Sequence, residues 1–137
     1  VLPDLRPLID ALVENHVDFV IIGGVALVLH GSARTTQDLD VCYARTGRNF
    51  AALATALQGF HPRLRGAPPG LPFRLDAPTL KAGLNFTLST DADLLGEVTG
   101  VGSYVEVMGD ATEMEVYDRR IRIMSLDTLD RAVSRMR

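Results

Sequence analysis

Apolar residues recur along this chain with two different periods, and the period assigns the elements. Leu5, Leu8, Ile9, Leu12 and Val13 follow helical spacing behind Pro3 and Asp4, which favour a helix start, so a first helix should end near Asn15 or His16. Residues 18–22, rich in Val, Ile and Phe, read as a short buried strand that runs into Gly23-Gly24. The apolar stretch 25–30 then reads as a short helix closed by Gly31, and 35–43, with its core at 37–42, as a second strand. Residues 49–57 form an amphipathic helix ended by Gly59.

The stretch 61–78 holds five of the seven prolines and two glycines, and reads as a long loop of the kind that is often functional. After it, Leu84, Phe86 and Leu88 alternate with Asn85, Thr87 and Ser89, a period of two that marks a strand with one wet face. The same parity extends to Asp91 and Asp93. Residues 113–117 and 120–124 look like a hairpin turned at Asp118-Arg119. Ser125 can cap a last helix through Leu126, Leu129, Ala132, Val133 and Met136, with Arg131, Arg135 and Arg137 near its C-terminal end, where the helix dipole favours cations. Helix, strand, helix, strand, helix, then strands and a helix make a mixed α/β domain, with residues 1–137 as one unit.

Composition narrows the function classes. With 47% hydrophobic and 23% charged residues the chain is too apolar and too balanced to be disordered, and its 137 residues suit one globular domain. The longest apolar run, from Phe19 to Leu29, is broken by glycines and too short to span a bilayer. A single Cys42 excludes an internal disulfide and a cysteine-based zinc site, which fits a cytoplasmic protein. The net charge is −3, yet its distribution is uneven. Arg45, Arg48, Arg63, Arg65, Arg74 and Lys81 face one acid, Asp76, in their stretch, whereas eight acids and no base lie between Asp91 and Asp118. Such a basic stretch can hold a nucleotide or RNA phosphate beside an acidic, metal-binding region; the plainer reading is solvated surface charge.

The candidate chemistry lies between Val20 and Val41. Asp38 and Asp40, two apart on an expected strand, point to one face, with Cα atoms roughly 6–7 Å apart. Two such carboxylates repel each other, and a hard divalent cation removes that penalty; an exposed acid pair on an edge strand is the alternative. Gly23-Gly24, between strand and helix, lets backbone N–H groups approach a phosphate, though a tight turn would use the same residues. Arg34 and Thr36 lie on the connection beside that crevice, where an Arg can neutralise phosphate oxygens. His30 reads as a packed or capping residue, Ser32 as a turn residue and Cys42 as a small packing residue on the face of the acids. A third carboxylate comes from Asp91 or Asp93 if their strand lies beside the first acid pair; Asp93 is better placed inside a strand, and Asp91 suits a turn.

Gly23-Gly24, thirteen residues and then Asp38-Leu39-Asp40 resemble the signature of the DNA polymerase β-like nucleotidyltransferase superfamily. The longer run G-G-V-A-L-V-L-H-G-S-A-R-T-T-Q-D-L-D is similar to the small bacterial nucleotidyltransferases of abortive-infection and toxin–antitoxin systems, as are T-D-A-D-L-L-G-E-V, G-S-Y and R-I-R-I-M-S-L-D-T-L further on. The resemblance implies a mixed sheet with flanking helices, two divalent metals (Mg²⁺ or Mn²⁺), a nucleoside triphosphate such as ATP, and transfer of a nucleoside monophosphate with loss of pyrophosphate. It gives Asp38, Asp40 and Asp93 the catalytic, metal-binding places and Gly23 and Gly24 the phosphate-loop places. Many relatives carry Ser where Gly24 stands, and Val133 stands where Lys is expected. The acceptor expected is a hydroxyl of RNA, for instance a tRNA end, or of protein, with Arg63, Arg65, Arg74 and Lys81 as candidate contacts and a cognate antitoxin or toxin as a partner. The competing expectation is a nucleotide-binding or partner-binding, antitoxin-like module with little or no turnover. The enzymatic reading requires Asp93 to converge on Asp38 and Asp40 without that pair being buried in arginine salt bridges.

Overall fold

A computed structural model describes residues 3–68 and 70–135, with side chains described as far as residue 132. Its frame is a six-stranded mixed sheet. The strands in chain order are β1 (Phe19–Ile22), β2 (Leu39–Tyr43), β3 (Asn85–Thr87), β4 (Ala92–Leu95), the short pair β5 (Glu97–Val98) and β6 (Gly102–Ser103), then β7 (Thr112–Val116) and β8 (Arg119–Ile123). In the main sheet they lie in the order β3-β4-β2-β1-β8-β7, while β5 and β6 pair only with each other. β1 is antiparallel to β2 and parallel to β8; β4 is parallel to β2 and antiparallel to β3. The helices are α1 (Arg6–Glu14), α2 (Gly23–Leu29), α3 (Gly47–Leu57), α4 (Ala77–Ala82), α5 (Tyr104–Gly109) and α6 (Leu126–Arg135). Among the described residues, no helix is long and apolar enough to cross a membrane.

β1 is central because every side chain in it is apolar and buried, as a strand covered on both faces requires. The helices bury their expected stripes: Leu8, Ile9 and Leu12 from α1, and Phe50, Leu53, Ala56 and Leu57 from α3. Asn49 is fully buried and holds three chain segments together. Its Oδ1 accepts from Asp18 N at 2.7 Å, and its Nδ2 donates to Asp18 O at 3.1 Å and to Ala44 O at 2.8 Å. The start of β1, the end of β2 and the first turn of α3 are thereby fixed to one amide.

Two of the basic residues serve this scaffold. Arg45 donates to the Tyr43 hydroxyl at 2.6 Å and to the carbonyls of Leu80 and Lys81 at the end of α4, and its guanidinium lies over the Phe50 ring. Arg48 pairs with Asp18 and donates to His16 O. His30, among its expected roles, takes that of the cap of α2, one residue before the expected Gly31, with Nε2 2.9 Å from Met124 O. Ser125 caps α6 by accepting from Thr128 N. Met136 and Arg137, and the side chains of Val133 and Arg135, lie outside the described residues.

Three expectations need correction. The alternating run after Leu84 is not one strand carried to Asp93: β3 ends at Thr87, and residues 89–91 form a turn in which Asp91 takes φ +59°. The later hairpin turns at Tyr117-Asp118, both with positive φ, one residue earlier than expected. Its two-residue loop matches the twist of the flanking strands, which Asp118-Arg119 would not. The long loop ends at Asp76, whose side chain accepts from Thr79 N and starts α4 with Pro78 in its first turn, where a missing N–H costs nothing. Asn49→Ala should lower unfolding stability by about 2–3 kcal/mol, since it removes the partner of the Asp18 N–H and the Ala44 carbonyl, which flank β1 and β2; urea unfolding measures it, and a loss below about 0.5 kcal/mol would contradict the linking role.

Candidate active site

The parallel pairing of β2 and β4 sets Asp40 directly opposite Asp93, and the antiparallel pairing of β1 and β2 sets Asp40 opposite Ile22, the residue before Gly23. Alternation along β2 turns Leu39 and Val41 into the core and Asp40 to the other face. Asp38 lies one residue ahead of β2, where Leu39 N donates to Asp91 O at 2.8 Å. The turn at 89–91 therefore brings the second acid strand alongside the first. Asp91 serves as a turn residue, and Asp93 is the acid brought to Asp40.

Gly23 has φ +67°, and a Cβ there would overlap the Asp40 carboxylate. Only glycine lets the chain turn from β1 into α2 so close to that acid. At Gly24 a Cβ would lie 2.7 Å from the Thr36 hydroxyl oxygen, so Thr36 fills the space that a side chain at 24 would take. Arg34 is exposed on the connection between α2 and β2, and its backbone N donates to Ser32 Oγ, the turn role read for Ser32.

The cluster is electrostatically loaded. Burial, then the hydrogen bond and charge of the Asp93 carboxyl, then the Asp38 charge push Asp40 from 3.8 up to about 7, against the opposing pull of Arg65. Arg65 arrives from the long loop. Its Nη1 lies 3.4 Å from Asp38 Oδ2, and its Nη2 lies 3.1 Å from Asp93 Oδ1 and donates to Leu88 O at 2.8 Å. Asp40 Oδ1 and Asp93 Oδ1 are buried and accept no hydrogen bond, so the Asp93–Arg65 contact is one of charge alone. Asp38 and Asp93 keep 36% and 23% of their side chains exposed, so one half-exposed arginine sits on the acids without sealing them.

Buried carboxylate oxygens that accept no hydrogen bond, beside the further acid Asp38, form a donor set that suits a hard divalent cation. Among the described residues, no group of three or more His, Cys, Asp or Glu side chains is arranged to hold an ion as it stands. The residues fit such an ion in chemistry, and the Arg65 guanidinium lies against two of the three acids. Cys42, on the face of the acids, is fully buried; burial, then the Glu106 charge, push its thiol up to about 12, so it packs and does not attack.

The other basic candidates separate. Arg63 and Arg74 line one open cavity of about 440 Å³ with His61 and Phe73. Arg63 and Phe73 also line an adjoining cavity of about 480 Å³ that Arg65 borders. Lys81 borders neither and stands at the end of α4. Sequence reasoning assigned Arg65 to an acceptor surface; no local pattern reveals that it crosses 27 residues of sequence to Asp38 and 28 to Asp93.

Ionisation of Asp40 burdens the folded state. Because its folded value is raised, the penalty is absent below 3.8, grows with pH and is complete above about 7. Asp40→Asn, in chelator, should therefore raise Tm near pH 8 and leave it nearly unchanged near pH 4. Calorimetry at the two pH values checks this, and an equal shift at both would rule out the electrostatic origin.

No family model and no curated protein matches the chain by sequence. Solved structures do match by shape. One is a candidate nucleotidyltransferase from Thermotoga maritima, at TM-score 0.63 and 15% identity, covering 96% of this chain and 81% of that one. Another is ANT(2″)-Ia in complex with adenylyl-2″-tobramycin, at TM-score 0.51 and 18% identity, covering 88% of this chain and 67% of that one. The six-stranded mixed sheet with its flanking helices is the nucleotidyltransferase fold.

Proposed function

We propose that this chain is a nucleotidyltransferase that moves a nucleoside monophosphate from a nucleoside triphosphate to an acceptor hydroxyl, releasing pyrophosphate. The observation that carries the reading is the apposition of Asp40 and Asp93 on adjacent parallel strands, each with a buried oxygen that accepts no hydrogen bond, and with Asp40 directly beside Gly23. The complex of ANT(2″)-Ia with an adenylylated ligand supports it, since a protein of the same fold holds a nucleotidylated compound.

Asp38, Asp40 and Asp93 would hold Mg²⁺ or Mn²⁺. Two such ions, when bound, neutralise triphosphate charge and lower the pKa of the attacking hydroxyl. Gly23 and Gly24 present backbone to the triphosphate without a Cβ in the way. Thr36, whose hydroxyl lies against Gly24, would add a hydroxyl contact, and Arg34, on the same connection, would supply a charged fork. Asp93 can take the proton of the acceptor hydroxyl, which frees its oxygen to attack the α-phosphorus while pyrophosphate leaves with the electron pair of the broken P–O bond. Arg63, Arg74 and Phe73, around two cavities of which one is bordered by Arg65, favour an RNA acceptor over a protein: cations meet phosphates and a ring stacks on a base. The resemblance to toxin–antitoxin enzymes adds a cognate partner protein to this reading. A second reading, nucleotide or partner binding without turnover, draws on the Arg65 contacts with Asp38 and Asp93.

Incubation with each α-labelled nucleoside triphosphate, Mg²⁺ or Mn²⁺ and total RNA or lysate should label an acceptor. Asp40→Asn or Asp93→Asn should cut labelling at least about a hundredfold, beyond what loss of a metal ligand's outer partner costs. Folded wild-type protein that labels nothing with any of the four nucleotides would leave the binding reading in its place. The double variant Arg63→Ala with Arg74→Ala should raise KM for an RNA acceptor by about tenfold, with KM for nucleotide unchanged. Steady-state kinetics in both substrates separate the two effects.

A further inference from the structure

Arg65 is delivered to the acids by a pinned piece of backbone. Leu64 bridges Leu88, Arg65 N donates to Thr87 O at 2.9 Å, and Ser89 N donates to Arg63 O at 2.8 Å. Residues 63–65 thus lie antiparallel to the end of β3, on the same hairpin that carries Asp93. The side chain is 38% exposed, reaches Asp38 and Asp93 at once, and borders the open cavity of about 480 Å³. Asp40, opposite Asp93 on the neighbouring strand, forms no ion pair with an arginine among the described residues.

We propose that Arg65 is a resident counter-cation that competes with divalent metal for Asp38 and Asp93, and so sets the metal affinity of the site. Three carboxylates and one guanidinium leave the cluster negative, which attracts a dication. A dication on the same oxygens meets the fixed positive charge of Arg65 within a few ångströms, where like charges repel strongly. Metal entry then requires the guanidinium to leave Asp38 and Asp93. The open cavity beside it gives the half-exposed side chain somewhere to go while its backbone stays bound to β3. Arg65 is a positioning residue in this account, acting through the acids. The proposal rests on the reading of Asp38, Asp40 and Asp93 as metal ligands.

Mn²⁺ titration by calorimetry and electron paramagnetic resonance, without nucleotide, tests it. Arg65→Gln should bind Mn²⁺ about tenfold more tightly than wild type, because two partly exposed ion contacts and one like charge are gone. Arg65→Lys, which restores the charge, should return the affinity most of the way to the wild-type value. Equal or weaker binding by Arg65→Gln overturns the competition and leaves the transfer reading standing. Binding that Asp40→Asn does not weaken, or no binding by any variant, removes the metal site itself, and with it both readings. Should Arg65→Gln fail to fold, the wild-type protein still decides. Its Arg65 Nε–Hε NMR signal should move during Mg²⁺ titration with the midpoint of metal binding, and a signal that stays fixed at saturation overturns the proposal.

Discussion

Carboxylates gathered in one half-buried place repel each other, and the rest of this structure is arranged around keeping them there. The sheet supplies the force. β2 is held between β1 and β4, and its other face buries Leu39, Val41 and Tyr43 almost completely. A register slip of one residue on either side would exchange that apolar set for the acids, which the core could not solvate. Asp40 is therefore fixed opposite Asp93 by the burial of its neighbours, whatever its own carboxylate prefers. Gly23 completes the enclosure from below, because any side chain at that position would displace the acid.

The arginines show how one class of residue divides under that constraint. By composition, Arg45, Arg48, Arg63, Arg65, Arg74 and Lys81 make a single basic stretch. In space, Arg45 ties the end of α4 to Tyr43, and Arg48 ties the start of α3 to the start of β1. Arg65 answers the acids, and Arg63 and Arg74 are left around the cavities beside it. Charge spread along a sequence says only that phosphate can be attracted; what lies within a few ångströms of each guanidinium decides which residues are still available to attract it.

The order of β1, α2 and β2 was legible in the sequence because each carries its own signal: a fully apolar tetrapeptide, two glycines, and an acid–apolar alternation. The cap of α6 was legible for the same reason, since Ser125 precedes a clear apolar period. The break between β3 and β4 was not. Period two is the same for one long strand and for two strands joined by a tight turn, and only the left-handed backbone of Asp91 distinguishes them. β5, β6 and α5 were missed because two-residue strands and a six-residue helix are too short to establish any period. At the site, Asp38, Asp40 and the glycines announce themselves locally, whereas the contact of Arg65 exists only because residues 63–65 pair with β3 across a proline-rich loop.

Fold alone leaves the chemistry undecided, because one scaffold hosts many functions and the neighbours share at most 18% identity with this chain. What the scaffold alone does not account for is the state of its buried polar atoms. Apart from the Thr90 hydroxyl, the buried side-chain atoms left without a hydrogen bond among the described residues are one oxygen each of Asp40 and Asp93, the Oδ1 atoms. A domain kept only for its shape gains nothing by holding them, since apolar residues of similar size at both positions would pack as well and relieve the repulsion. Arg65 contacts Asp38 and Asp93 and offsets only part of the burial and carboxylate repulsion that raise Asp40. The unsatisfied oxygens, more than the count of acids, are what single this cluster out as a candidate site.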